Sequence, residues 1–167
     1  MYTMLSRTDA DGSWPVPGDE LLPWTSKVGD ILGCEHLFFP VNEDNDHWAL
    51  IAVTPRDGNI DYYDSLNGHE DAVRPTLIVR QYLEQYEELT SAAPRQWTRR
   101  VMARCSKQDN PSDCGLFLCK YIECLLDGDD IGFDPILGQH YRSKIIANAW
   151  ANRLESVQHE QHKQQNQ

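Results

Sequence analysis

The run from His47 to Pro55, His-Trp-Ala-Leu-Ile-Ala-Val-Thr-Pro, constrains this chain more than any other feature. A strand that is apolar at consecutive positions has to be covered on both faces, so the fold needs layers packed on either side of a sheet. Within the next four residues, Arg56 to Asn59, the pair Asp57-Gly58 is a strong hairpin signal, and the strand formers Ile60 to Ser65 follow it. The two segments therefore pair antiparallel. A shorter apolar and aromatic run from His36 to Val41 reads as another central strand.

Beyond Pro75 the period changes. Ile78, Tyr82, Tyr86 and Leu89 recur at helical spacing, which predicts an amphipathic helix laid on the sheet. From Trp97 to Cys105 the alternation of Trp97, Val101, Ala103 and Cys105 with Thr98, Arg100, Met102 and Arg104 predicts a half-buried strand. Cys114 to Leu126 is apolar nearly all round, with only Lys120 and Glu123 charged, and reads as a helix buried in the middle of the domain. Ser112 or Asp113 can cap its start, and Gly128 its end. A last helix is expected from Gln139 to Val157, with Tyr141, Ile145, Ala149 and Leu154 on one face. Residues 1–30 are too often interrupted by Pro and Gly to be more than an irregular lead-in, and residues 158–167 form a polar tail.

Composition narrows the function. Five Trp, seven Tyr and four Phe among 167 residues belong to a folded domain. With 15 basic and 26 acidic side chains the net charge is −11, which disfavours nucleic acid and favours a partner with a basic patch. No membrane span or secretion signal is evident, so a soluble, intracellular protein is expected. Five cysteines at irregular spacing do not suggest a disulfide framework. Cys119 and Cys124 point away from Cys114 on a helix and read as core filling rather than metal ligands.

Cys114 stands apart because it opens the buried helix, where unpaired backbone N–H groups favour negative charge on sulfur. Position alone does not distinguish a nucleophile from a small core residue. A thiol nucleophile also needs a base, and the base needs an orienting acceptor. Of six histidines, His159 and His162 lie in the tail, while His36, His69 and His140 sit near element boundaries with no evident partner. His47 begins the central strand, and the hairpin returns Asp64 to the same rim, which makes a His47–Asp64 hydrogen bond feasible. Gln108, in the loop before Cys114, offers an amide donor for a developing oxyanion.

These residues, in the runs Asp46-His-Trp-Ala-Leu-Ile-Ala-Val53, Tyr62-Tyr-Asp-Ser-Leu66 and Gln108-Asp-Asn-Pro-Ser-Asp-Cys-Gly115, resemble the motifs of the ubiquitin-like-protein-specific cysteine proteases, the SUMO or sentrin protease family. Order and spacing both match: an aspartate seventeen positions after the histidine, a glutamine six before the cysteine. The resemblance covers roughly residues 20–157, including the Pro23-Trp-Thr-Ser-Lys-Val28 segment. It implies an α+β, papain-like fold, a mixed central sheet flanked by helices, with a catalytic domain over residues 31–157. It also implies Cys114 as nucleophile, His47 as base, Asp64 as its orienting group, Gln108 in the oxyanion hole, and Trp48 as the wall of a narrow channel admitting a Gly-Gly tail. The implied partner is a ubiquitin-like protein, SUMO first, and its conjugates, met by a monomer that needs no metal or organic cofactor. The N-terminus departs from the family: no Trp-Leu-Asn-Asp motif is present, and Trp14 and Trp24 lie in other contexts. Three alternatives remain open: a NEDD8-specific protease, a weakly active module that binds a ubiquitin-like protein, and an acyl-transferring relative. Asp64 and Trp48 favour the protease over the last.

Overall fold

A computed structural model describes residues 29–43, 46–66, 72–135 and 140–151. Most of the lead-in, the 23–28 segment, Trp14, Trp24, His69, Leu154 and the tail with His159 and His162 lie outside the described residues. The chain divides into two compact units, Met1–Phe133 and Asp134–Gln167.

In the first unit a short 3-10 turn, Ile31–Gly33, leads into β1 (Leu37–Glu43), β2 (His47–Thr54) and β3 (Asn59–Tyr63), followed by α1 (Val73–Thr90), β4 (Thr98–Val101) and α2 (Cys114–Asp127). The sheet order is β1-β2-β3-β4. β1/β2 and β2/β3 are antiparallel and β3/β4 is parallel. A parallel pair cannot be joined by a hairpin, and α1 is the crossover that joins this one. The result is an α+β domain built on a mixed sheet with helices, as expected.

The two faces of β2 explain why Trp48 to Val53 are apolar at every position. Ala49, Ile51 and Val53 face one core with Val79, Leu83 and Tyr86 of α1. Leu50 and Ala52 face a second core with Phe117, Leu118 and Tyr121 of α2. The hairpin turn occupies Pro55 to Gly58, one residue earlier than the sequence suggests, since Thr54 pairs with Asn59. Gly58 sits at φ +66°, and a Cβ there would lie 2.4 Å from the Gln96 carbonyl oxygen.

Five expectations need correction. β1 is an edge strand, not a central one; Pro40, which has no N–H to give a second neighbour, fits that place. Of the expected α1 stripe, Ile78 and Tyr86 are buried and Tyr82 packs against the core, joined by Thr76, Val79 and Leu83, but Leu89 is 51% exposed. The strand after Trp97 is only four residues long and exposed throughout. It is the other edge, and the chain turns at Ala103 to Cys105, so Trp97 and Cys105 alone of the expected inward set are buried. α2 is buried along one stripe, Cys114, Phe117, Leu118, Tyr121 and Cys124, rather than all round. Cys119 is exposed, so it is not core filling.

Gly128 closes α2 in the left-handed conformation, its N–H donating to the Cys124 carbonyl. In the second unit a helix spans residues 140–151 and carries Tyr141, Ile145 and Ala149. Among the described residues no helix is long and apolar enough to cross a membrane.

The close approach at the hairpin yields a test. Gly58→Ala has to move backbone as well as hold φ +66°, whereas Gly29→Ala, at φ +86° with nothing within 4 Å, meets no neighbour. Urea denaturation should show Gly58→Ala destabilised by more than about 1 kcal/mol and by more than Gly29→Ala.

Candidate active site

The site assembles where the open end of the β2–β3 hairpin meets the start of α2. A turn closed by the Asp46 N–H to the Glu43 carbonyl, 2.9 Å, delivers the chain into β2 at His47. The register pairs Leu50 with Tyr63, so one further step sets Ala49 opposite Asp64. His47 and Asp64 then stand diagonally on one face of the ladder, within side-chain reach. Their separation is 2.6 Å between Nε2 and Oδ1. Asp64 is 4% and the His47 side chain 14% exposed. The Leu66 N–H donates to the same carboxylate oxygen at 2.8 Å, which fixes the carboxylate from its own chain.

Cys114 is the first residue of α2 and is buried. It acts on the His47 ring as one of the weaker influences that raise the ring's pKa. Nε2 is committed to Asp64, so Nδ1 is the ring nitrogen left for the thiol. The pKa of His47 is raised above its ordinary 6.5: the Asp64 hydrogen bond is the main cause, burial opposes it, and Asp64's charge and Cys114 add to it. Asp113 occupies the N-cap position, but its side chain makes no cap hydrogen bond; its carboxylate instead accepts from Asn110 Nδ2 at 2.8 Å. Trp48 lies beside the first turn of α2, with its Cδ1 3.9 Å from where a Cβ on Gly115 would be.

Gln108 is held rather than open. Its Oε1 accepts from the Ser65 hydroxyl, its Nε2 donates to the Asn110 carbonyl at 2.6 Å, and its N–H donates to the Ser65 carbonyl at 3.0 Å. A primary amide carries two hydrogens, so one N–H remains beyond the bond to Asn110. The structure thus brings His47, Asp64 and Cys114 into one constellation, with Trp48 against the Cys114 turn and Gln108 tied to the loop after Asp64.

Two contributors are absent from the sequence reading. Asn110 organises the loop before Cys114: its Oδ1 accepts from the Ser112 N–H at 3.0 Å and from the Ser112 hydroxyl at 3.1 Å. Asn followed by Pro and Ser is a legible Asx-turn signal. Ser65, which follows Asp64 in the Tyr62–Leu66 run, joins the Asp64 loop to Gln108. Among the described residues no three His, Cys, Asp or Glu side chains are grouped to hold a metal ion.

Comparison with known proteins adds a family to this geometry. Residues 19–152 match the model of the Ulp1 protease family, C-terminal catalytic domain. A sentrin-specific protease of Caenorhabditis elegans is 35% identical over 134 residues, 78% of this chain and 19% of that protein. The ubiquitin-like-specific protease 1A of Arabidopsis thaliana is 26% identical over 126 residues, 72% of this chain and 25% of that protein. The chain thus spans a quarter or less of the length of these curated relatives. An X-ray structure of the C-terminal Ulp1 protease domain in complex with Smt3, the yeast ortholog of SUMO, superposes with a TM-score of 0.62 at 22% identity, covering 73% of this chain and 55% of that one. At that identity it shows the fold.

The raised His47 pKa carries a sign for stability. A group whose pKa rises on folding stabilises the fold below its unfolded value and loses that contribution as pH climbs through the folded value. Asp64→Asn removes the main cause of the rise. Denaturant titrations between about pH 5 and pH 9 should find the variant about 1.5–3 kcal/mol less stable near pH 6, with a deficit that narrows as the pH climbs through the folded value. A deficit that widens with pH would contradict the assignment.

Proposed function

Because this chain belongs to the Ulp1 protease family, we propose that it is a thiol protease or isopeptidase cleaving after the C-terminal Gly-Gly of a ubiquitin-like modifier, SUMO in the first place. The observation that carries this is the single His47 ring held at 2.6 Å by buried Asp64 and met by Cys114 at the head of α2.

The geometry supports the following roles. Cys114 Sγ attacks the carbonyl carbon of the second glycine as its proton passes to His47 Nδ1. The C=O π pair moves onto oxygen, and this oxyanion is stabilised by the second Gln108 Nε2–H and by backbone N–H at the start of α2. On collapse the C–N bond breaks and His47 returns the proton to the leaving amine, a chain terminus or a lysine ε-amine. Water then attacks the thioester with His47 as base, releasing the modifier carboxylate and the Cys114 thiol. Asp64 keeps the ring in the tautomer that leaves Nδ1 free for the thiol and stabilises the imidazolium that forms. Trp48, packed against the Cys114 turn, restricts the approach to a chain as thin as two glycines, so selectivity comes partly from what is excluded. No step calls for a metal or organic cofactor. The enzyme acts as a monomer in the nucleus or cytoplasm.

Incubation with C-terminally reactive SUMO, NEDD8 and ubiquitin probes tests the reading. SUMO should form a covalent adduct that is lost in Cys114→Ala. In hydrolysis of a SUMO C-terminal amide, His47→Ala should lower kcat about 10²–10⁴-fold and Gln108→Ala about 10²–10³-fold. Reaction with NEDD8 alone would move the specificity within the same chemistry. A folded chain that reacts with none would make it a binding module.

A further inference from the structure

We propose that Lys107 is a positioning residue that clamps the loop carrying Asp64 and thereby holds the carboxylate against His47. The Lys107 ammonium donates to the Asp64 carbonyl at 2.6 Å and to the Leu66 carbonyl at 3.4 Å, and lies 3.7 Å from Cys105 Sγ. An ammonium has three hydrogens, and here all three have protein acceptors. A surface lysine ordinarily keeps its charged head in water, so this engagement has a structural consequence. The two carbonyls bracket the Asp64–Leu66 turn, whose own Leu66 N–H holds the carboxylate at 2.8 Å. Lys107 therefore grips the backbone on both sides of the contact that aims Asp64 at Nε2.

The grip comes from a fixed base. Ser106 N–H donates to the Ile131 carbonyl at 3.0 Å, the Ser106 hydroxyl to the Phe133 carbonyl, and the Tyr121 hydroxyl of α2 to the Ser106 carbonyl. Cys105, buried, donates its thiol to the Asp64 carbonyl at 3.4 Å. The same segment presents Gln108 to Ser65. The 105–108 segment thus joins α2, which carries Cys114, to the loop that carries Asp64.

This inference rests on His47, Asp64 and Cys114 being the reactive set, and its test separates the two. The groups facing His47 are Asp64, from the segment after β3, and Cys114, from α2. Removing a nearby cation by electrostatics alone would raise the His47 titration midpoint, whereas loosening Asp64 lowers it toward 6.5. The experiment is an NMR titration of the His47 ring together with kcat and KM on a SUMO C-terminal amide, for the full chain, Lys107→Met and Lys107→Arg. Lys107→Met should lower the midpoint and cut kcat about ten- to a hundredfold with KM little changed, and Lys107→Arg should restore much of both. If Lys107→Met fails to fold, Lys107→Gln takes the same readings, with an intermediate fall in both. A midpoint unchanged or raised in the folded variant overturns the proposal, even where the parent chain cleaves SUMO. A lowered midpoint in a chain that cleaves no modifier supports the clamp and removes the protease reading.

Discussion

The hydrogen bond between His47 Nε2 and Asp64 Oδ1 is the contact on which the rest of the site depends. It spans the mouth of the β2–β3 hairpin, with His47 on β2 and Asp64 one residue beyond β3, where the Leu66 N–H holds the carboxylate. It assigns the ring nitrogens, leaving Nδ1 for Cys114, and it is the main reason the ring holds its proton above the ordinary histidine range. Burial of the ring works against that proton, so the balance tips only because the partner is a buried carboxylate at short range.

The sheet serves this contact from both sides. β2 contributes Ala49, Ile51 and Val53 to the core under α1 and Leu50 and Ala52 to the core under α2. The strand that opens with His47 is therefore locked by two hydrophobic layers, and the second layer is the one that seats α2 and so Cys114. His47 and Cys114 thus sit on elements that share a core. At that junction Trp48 lies at ordinary van der Waals distance, 3.9 Å, from the position a Cβ on Gly115 would take. The buried Asp61 carboxylate, paired with Arg100 through two 2.5 Å contacts, joins β3 to the edge strand β4.

Elements with strong local signals were legible in the sequence. The β2 run, the Asp57-Gly58 turn and the α2 start and stop each carry their cause within a few residues; the hairpin made a His47–Asp64 bond feasible, whereas Cys114 joined them only through the resemblance to the protease family. What the chain does not announce locally is which strand lies at an edge. β1 looks like an interior strand because it is apolar, and the segment after Trp97 looks half-buried because it alternates, yet edge placement is decided by pairing across long sequence separations. α2 misleads for a similar reason: Cys119 and Leu126 are apolar in composition but fall on the exposed side. Gln108 was legible as an amide near the cysteine, but its bonds to Ser65 and Asn110, and the grip of Lys107 on Asp64, depend on the 105–108 segment returning to the 64–66 turn. No periodicity encodes that return.

The measurement that tests the central claim most directly is titration of the His47 imidazole by NMR in the parent chain, Asp64→Asn and Cys114→Ala. The account requires a midpoint above 6.5 in the parent, a large fall in Asp64→Asn and a smaller one in Cys114→Ala, in the order of their contributions to the ring. A parent midpoint at or below 6.5, or one that Asp64→Asn leaves in place, would contradict it.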